Sequence, residues 1–524
     1  MHCSGLLGVL AMVWQVTAGP LPQDGSAPVE RRYAANKTRT DAVKSAFQTA
    51  WDGYYKYAFP HDSLTPVNNG YSDDRNGWGA SAIDAFSTAL VMENWEVVNQ
   101  ILKFVPTINF DNTTSEISLF ETTIRYLGGL LSAYDLLTGP LKTQAQVEED
   151  SVQAILKQAK RLADNLSFAF STPSGVPDNI IYFNPSRRAN STRNGLATIG
   201  TLVLEWTRLS DLTGSDIYGA LAQRGETYLL DPKPALGEPF PGLLGTNVDI
   251  KTGQFLDGSG GWVGGDDSFY EYLIKMYQYD PKRFGKYKDR WLTAVNSTIE
   301  HLASTSSGKE GLTFLAMFSN TTLRYVSQHL ACFDGGNIIL GGLLLNDKRY
   351  VDFGLDLVYS CHETYTATAT GIGPEVFAWQ DRDAPSNAAN NPPPPSDQAD
   401  FYERAGFWIT SGAYVLRPEV IESYYYAYRA TGDPKYQEWA WDAFVNINRT
   451  CRVGSGYSSI NDVNKPDGGG FSNFQESFWF AEVLKYSYLI HAEEADWQIQ
   501  PDNSQKFVFN TEAHPVRLAA ANYT

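Results

Sequence analysis

Three acidic segments stand apart from the rest of the 59 Asp and Glu residues because of their neighbours. Glu121 opens Phe120-Glu121-Thr122-Thr123-Ile124-Arg125, and Arg125, one helical turn on, shares its face with Gly128 and Ser132. Asp267 follows the glycines Gly260-Gly261 and Gly264-Gly265 and begins Asp267-Ser268-Phe269-Tyr270-Glu271-Tyr272, with Glu271 on the same face. Glu419 lies in Leu416-Arg417-Pro418-Glu419, and Glu422 adds a like charge beside Tyr424-Tyr425-Tyr426. Each position has a plain structural explanation. Spacing alone favours a surface ion pair for Glu121 and Arg125, an N-cap for Asp267, and an acid answering the helix dipole behind Pro418 for Glu419. Acids on inward helix faces among aromatic residues also suit a glycosidase, where one carboxyl group protonates the leaving oxygen and another activates water.

Residues so placed need helices to hold them, and a helical pattern runs from Thr40 onward. Phe120, Ile124, Leu127, Leu131 and Tyr134 step by four, three, four and three, lining one helix face. Similar patterns cover 151–169, 196–212, 267–279, 289–303 and 419–430, with Gly- and Asn-rich breaks such as Asn68-Asn69-Gly70 and Gly468-Gly469-Gly470 between apolar segments. Leu212-Thr213-Gly214-Ser215-Asp216-Ile217-Tyr218 is echoed by Ala430-Thr431-Gly432-Asp433-Pro434-Lys435-Tyr436 and, in degraded form, by Tyr279-Asp280-Pro281-Lys282-Arg283-Phe284. In each, one helix stops and another starts with an aromatic residue. Repeated hairpins that bury one face apiece predict a closed ring or solenoid of helices. No linker divides the chain, and Ala384 to Gln398, with Pro392 to Pro395, reads as an extended surface loop.

The ends and the composition bound the compartment. An apolar run from Leu6 to Val16 ends in Val16-Thr17-Ala18, the pattern of a cleaved leader over 1–18. Residues 19–40 read as an N-terminal extension in which Arg31-Arg32 is a candidate processing site, 41–516 as a single helical domain and 517–524 as a tail. The run is too short to span a bilayer, so a secreted protein without a membrane span is expected. Sequons at Asn36, Asn112, Asn165, Asn190, Asn296, Asn320, Asn448 and Asn522 agree with that route. Once Cys3 leaves with the leader, Cys332, Cys361 and Cys451 allow one disulfide and one thiol. A net charge of −18 argues against nucleic-acid partners, and 13% aromatic residues fit a carbohydrate site as well as a large core. There is no Walker loop, His-Glu-X-X-His, Cys-X-X-Cys or Gly-X-Ser-X-Gly. Asp73-Asp74-Arg75-Asn76-Gly77 fails as a calcium loop, because Gly77 holds a ligand position and no Glu closes it.

Over roughly residues 45 to 516 the chain resembles the class I α-1,2-mannosidases, glycoside hydrolase family 47. The markers are His61-Asp62, Ile83-Asp84-Ala85, the Glu121 and Asp267 segments, Gly128 to Tyr134, His329-Leu330-Ala331-Cys332, Leu416 to Glu419 and Asn510-Thr511-Glu512-Ala513-His514-Pro515. The resemblance implies an all-α fold, an (α/α)7 barrel of alternating inner and outer helices. It implies a calcium-dependent, inverting enzyme that removes terminal α-1,2-linked mannose from high-mannose N-glycans on glycoproteins. Glu121 or Asp267 would supply the proton, Glu419 would be the base, and the oxygens of Thr511 would hold Ca2+. Arg125, Glu271, His329, Glu375, Arg417, Glu422, Phe478, Glu482 and Glu512 would surround the sugar. Cys332 and Cys361 would form the disulfide, closing a separation of 29 positions worth about 3–4 kcal/mol on a loop-entropy account. Cys451 would be free and buried. Gly265 stands where relatives of narrow branch selectivity carry Arg, so a wider cleft is expected. A monomer is expected. A catalytically silent mannose-binding or quality-control protein on the same scaffold is the competing expectation, against which the intact acid, base and calcium positions count.

Overall fold

The computed structural model describes residues 33–523. The expected leader, Arg31-Arg32 and most of the 19–40 extension lie outside the described residues.

Two kinds of helix alternate along the chain, and burial tells them apart. Glu149–Leu166 buries Val152, Ile155, Gln158, Ala159, Leu162, Ala163 and Leu166, one stripe of an otherwise polar surface. That is the pattern of a helix with one face on a core. Ala80–Val91 is buried at every position and Glu419–Thr431 at nearly every one, so these helices are surrounded. The surrounded helices form a ring: Ala80–Val91 packs on 119–137, that on 196–213, then Asp267–Tyr279, Phe333–Leu345, Glu419–Thr431 and 479–489, which returns to Ala80–Val91. Each carries a striped helix outside it: Trp95–Phe104, Glu149–Leu166, Ile217–Leu230, 285–302, Lys348–Thr366, Lys435–Cys451 and Lys37–Tyr57, in the same order. Seven inner and seven outer helices are the expected (α/α)7 barrel.

The sequence echoes are the inner-to-outer turns of this ring. Gly214 and Gly432 both end inner helices in the left-handed region, at φ 69°, where an L side chain is disfavoured. Outer helices begin shortly after, at Ile217 and Lys435. The third copy lacks the glycine, and its turn runs through Asp280, whose carboxylate accepts from the Lys282 and Arg283 amides.

Small antiparallel sheets of two or three strands lie in the segments between the helices. The hairpin Phe507–Phe509/Pro515–Arg517 packs on Gly128–Leu137 and Asp267–Tyr279 and carries residues 510–514 into the barrel. Asn510 fixes its tip: Nδ2 donates to the Ile124 carbonyl and Glu205, and Oδ1 accepts from the Glu512 and His514 amides. Lys485 donates to the Ala513 carbonyl at 2.6 Å. Five-residue π segments interrupt or extend three of the ring helices, at Thr123–Leu127, Thr298–Leu302 and Trp479–Val483.

Cys332 and Cys361 form a disulfide between neighbouring inner and outer helices, and Cys451 is free and buried, as expected. Asn112, Asn190, Asn296, Asn320 and Asn522 are exposed. Asn36, by contrast, caps Lys37–Tyr57 by accepting from the Arg39 amide, and the Asn165 amide donates to Phe110 and Asp111. Among the described residues no helix is long and apolar enough to cross a membrane.

Candidate active site

A cavity of 390 Å³ opens at the axis of the ring. Its lining includes Glu121, Arg125, Asp267, Glu271, Arg417, Glu419, Glu422, Phe478, Glu482, Thr511 and Glu512, brought together from inner helices and the hairpin tip. The carboxylates are deep: Glu419 is 8% exposed, Glu422 7%, Glu482 6% and Glu512 4%. Burying so many acids side by side is costly unless cations or hydrogen bonds compensate, so this is no plain core.

The Glu121–Arg125 pair is not the surface ion pair that spacing favours. Arg125 is 5% exposed and serves three acids: Nη2 lies 2.9 Å from Glu121, Nη1 lies 2.7 Å from Glu512 and 3.5 Å from Asp84. Its guanidinium sits 5.5 Å from the Phe478 ring centre. Burial pushes Glu121 up, but Arg125 and then Arg75 outweigh it and hold the carboxyl below its ordinary value. Arg75, 3.6 Å from Glu121, comes from the segment rejected as a calcium loop. Nothing in its spacing connects it to Glu121, because the contact is made by the fold.

Asp267 is the opposite case. It begins its helix behind Asp266, which takes the N-cap position. Burial, opposed by the Ser268 amide and reinforced by Glu271 and Glu419, lifts Asp267 to about 7. Asp267 therefore carries a proton up to near neutrality while Glu121 does not.

Glu419 stands at the first turn of its helix, behind Pro418. Burial raises it, but His329 and Arg417 win and keep it below the usual carboxylate value. His329 Nδ1 is 2.8 Å from Glu419 Oε2, and its Nε2 is 2.7 Å from the Tyr365 hydroxyl. Glu375 does not line the cavity. It accepts two hydrogen bonds from Arg417 Nε, both 2.8 Å, and so aims Arg417. His329 also acts from behind the wall. Deeper in, Glu271 pairs with Lys275, and burial lifts Glu422 to about 8 and Glu482 and Glu512 well above their ordinary values.

Several supporting groups escape sequence reasoning: Arg75, Tyr365, Lys275 and Glu205 belong to ordinary helix or loop patterns. Arg75, Asp84 and Asn510 lie inside segments quoted above, but nothing in those segments assigns them a role at this site.

Thr511 lines the cavity floor, next to Glu512, whose Oε2 is paired with Arg125 Nη1 at 2.7 Å. The oxygens of Thr511, amid several carboxylates, suit a hard cation such as Ca2+. Among the described residues no three His, Cys, Asp or Glu side chains converge as a direct ligand set, so such an ion would take Thr511 oxygens and fill its shell with water or sugar hydroxyls.

A ring of helices with paired acids in an axial cavity defines a glycosidase-type site. Residues 46–518 match Glycosyl hydrolase family 47, and the chain belongs to that family. It is 55% identical over 523 residues to the probable mannosyl-oligosaccharide α-1,2-mannosidase 1B of Aspergillus niger, covering 99% of this chain and all of that one. Identity to the mannosyl-oligosaccharide α-1,2-mannosidase of Penicillium citrinum is 54%, over 98% of both chains. The solved α-1,2-mannosidase from Trichoderma reesei superposes with a TM-score of 0.90 at 55% identity, covering 93% of this chain and all of that structure.

Proposed function

We propose that this chain is a secreted, calcium-dependent glycosidase that removes terminal α-1,2-linked mannose from high-mannose N-glycans with inversion. The observation that carries the chemistry is the split between two acid environments in one cavity: His329 and Arg417 hold Glu419 below the usual carboxylate range, while burial lifts Asp267 to about 7. An inverting reaction needs that division, with a base for water on one side of the anomeric carbon and a proton for the leaving oxygen on the other. Glu419 takes the proton of the attacking water, and His329 and Arg417 keep it ready to do so. Asp267 supplies the proton to the departing sugar. Glu121, the alternative donor, is held as a carboxylate by two guanidiniums in the free protein and orients the chain of contacts through Arg125. Glu271, Glu422, Glu482, Glu512 and Phe478 shape the pocket around the terminal mannose.

Calcium, bound through Thr511, would hold the sugar's vicinal hydroxyls at the floor. Branch selectivity should be broad. Gly265 lines the rim, and a Cβ built there would meet only Thr246 within 4 Å, at 3.8 Å. The exposed sequons, the expected leader over 1–18 and a monomeric state complete the reading of a secreted glycoprotein.

The test is digestion of a defined high-mannose glycan followed by anomer-resolved NMR in the first minutes. β-Mannose should appear first, and α-1,2-mannoses on more than one arm should leave. An α-mannose product would assign retention and overturn these roles. A clean stop after one mannose would overturn the broad cleft.

A further inference from the structure

A second surface continues the cavity outward. Ile117–Ser118, Ile180–Phe183 and Ser186–Arg188 form a three-stranded antiparallel sheet in which Ser118 pairs with Ile180 and Tyr182 with Arg187. Side chains alternate along a strand and share a face across a pair. Ile181 and Phe183 turn into the core, at 0% and 7% exposed, so Ser118, Ile180, Tyr182 and Arg187 stand together on the other face. Ser118 and the adjoining Asn179 also line the catalytic cavity, which makes this face continuous with the rim. Tyr182, two residues past Ile180, is about 7 Å further along the strand, roughly one sugar ring from the edge.

The Tyr182 ring is fixed in place. Its hydroxyl is 2.9 Å from Glu116 Oε2, and the Arg187 guanidinium lies 3.8 Å from the ring centre. Nothing in the core requires this arrangement, since Arg187 and Glu116 are exposed. An amphipathic ring between a guanidinium and a carboxylate matches what a hexose offers, an apolar C–H face bordered by hydroxyls.

We propose that this sheet face is a distal subsite for the uncleaved part of the glycan, with Tyr182 as the platform and Arg187 and Glu116 as hydroxyl partners. The proposal rests on the mannosidase reading and names where the remainder of that substrate lies. Binding energy gathered there, remote from the reacting carbon, would favour large glycans over small ones.

The experiment compares α-1,2-mannobiose, which is too short to reach the sheet, with an intact high-mannose glycan. The enzymes are the native form, Tyr182→Ala, Arg187→Ala and Asn190→Gln, the last removing the sequon just beyond the third strand. For the large glycan, Tyr182→Ala should raise KM about tenfold with kcat nearly kept, and Arg187→Ala should raise it less. Mannobiose kinetics should not change, and Asn190→Gln should leave both substrates as they were. Equal losses on both substrates, or no change on either, would overturn the subsite. So would a match between Tyr182→Ala and Asn190→Gln, because the face would then serve the protein's own attached glycan. Failure of the mannosidase reading would look different: the native enzyme would leave mannobiose uncut.

Discussion

Two cavities of this molecule differ in a way that size does not capture. The larger, 570 Å³, is lined by Lys37, Asp41, Lys44, Glu93, Glu493 and Asp496 among others, and its charges are wet: the Lys37 and Asp41 side chains are 86% and 55% exposed while 2.7 Å apart. The smaller, on the barrel axis, holds Glu271, Glu419, Glu422, Glu482 and Glu512 at 4–8% exposure, with Glu121 and Asp267 partly buried beside them. Exposed pairs cost little and contribute little. Buried acids must be compensated one by one, and the groups that compensate them, Arg125, His329, Arg417 and Lys275, set which acid keeps its proton. Charge kept where it is expensive is a better mark of function than volume.

The strongest way to break this contrast is to remove one buried charge without changing shape. Glu419→Gln should lower kcat by about 10²–10⁴ or more while substrate still binds, measured by initial rates and by calorimetry with an uncleaved glycan. A fall of less than tenfold would place the base elsewhere. Metal removal should come next in size. After exhaustive chelation the melting temperature should drop and recover with added Ca2+, because an ion bound only by the native state stabilises by mass action. An unchanged melting curve with no metal left would refute the floor site.

The third expectation is a pH effect on stability. Asp267 and Glu205 stand near 7 and Asp334 near 8, each raised chiefly by burial. Their folded forms bind protons that the unfolded chain has released, so their stabilisation is complete at low pH and lost as pH rises through those values. His362 and His491, lowered to about 4 and about 3 by burial, work the other way and lose stability as pH falls below about 6.5. Above that point the carboxylates still act and Lys485, lowered to about 7 by burial, works partly against them, so the chelated protein should melt about two degrees lower at pH 8 than at pH 6.5. Constant melting across that interval would show the acids are not buried as described. The smallest effect sharpens the comparison from the other side. Asp41→Asn and Glu493→Gln in the larger cavity should shift stability by no more than about 0.5 kcal/mol and leave the rate on glycan unchanged.

Much of this was legible in the sequence, for identifiable reasons. Helices at Asp267–Tyr279 and Glu419–Thr431 announced themselves through Gly or Pro before an acidic first turn, and the echoes at Gly214 and Gly432 are true repeated corners. Local spacing failed where partners come from afar. The pair Glu121 and Arg125 reads as surface because i,i+4 says nothing about what covers it. Arg75 reaches Glu121 across 46 positions of sequence, and Glu512 reaches Arg125 across 387. Thr511 carries no metal-ligand pattern of its own. Only the resemblance pointed to it, and only the hairpin explains how it arrives on the axis.

The π segments at Thr123–Leu127 and Trp479–Val483 carry a last consequence. A π turn is an α turn with one residue too many, and these two contain Arg125 and Glu482. Part of the active site is thus written in chain length rather than in side-chain identity. Deleting a single residue from Thr123–Leu127 would let the helix close into regular α geometry, improving its hydrogen bonding. It would also rotate one end against the other by about 100° and carry Arg125 away from either Glu121 or Glu512. A shortened helix that melts no lower yet fails to turn over glycan is the signature this feature predicts.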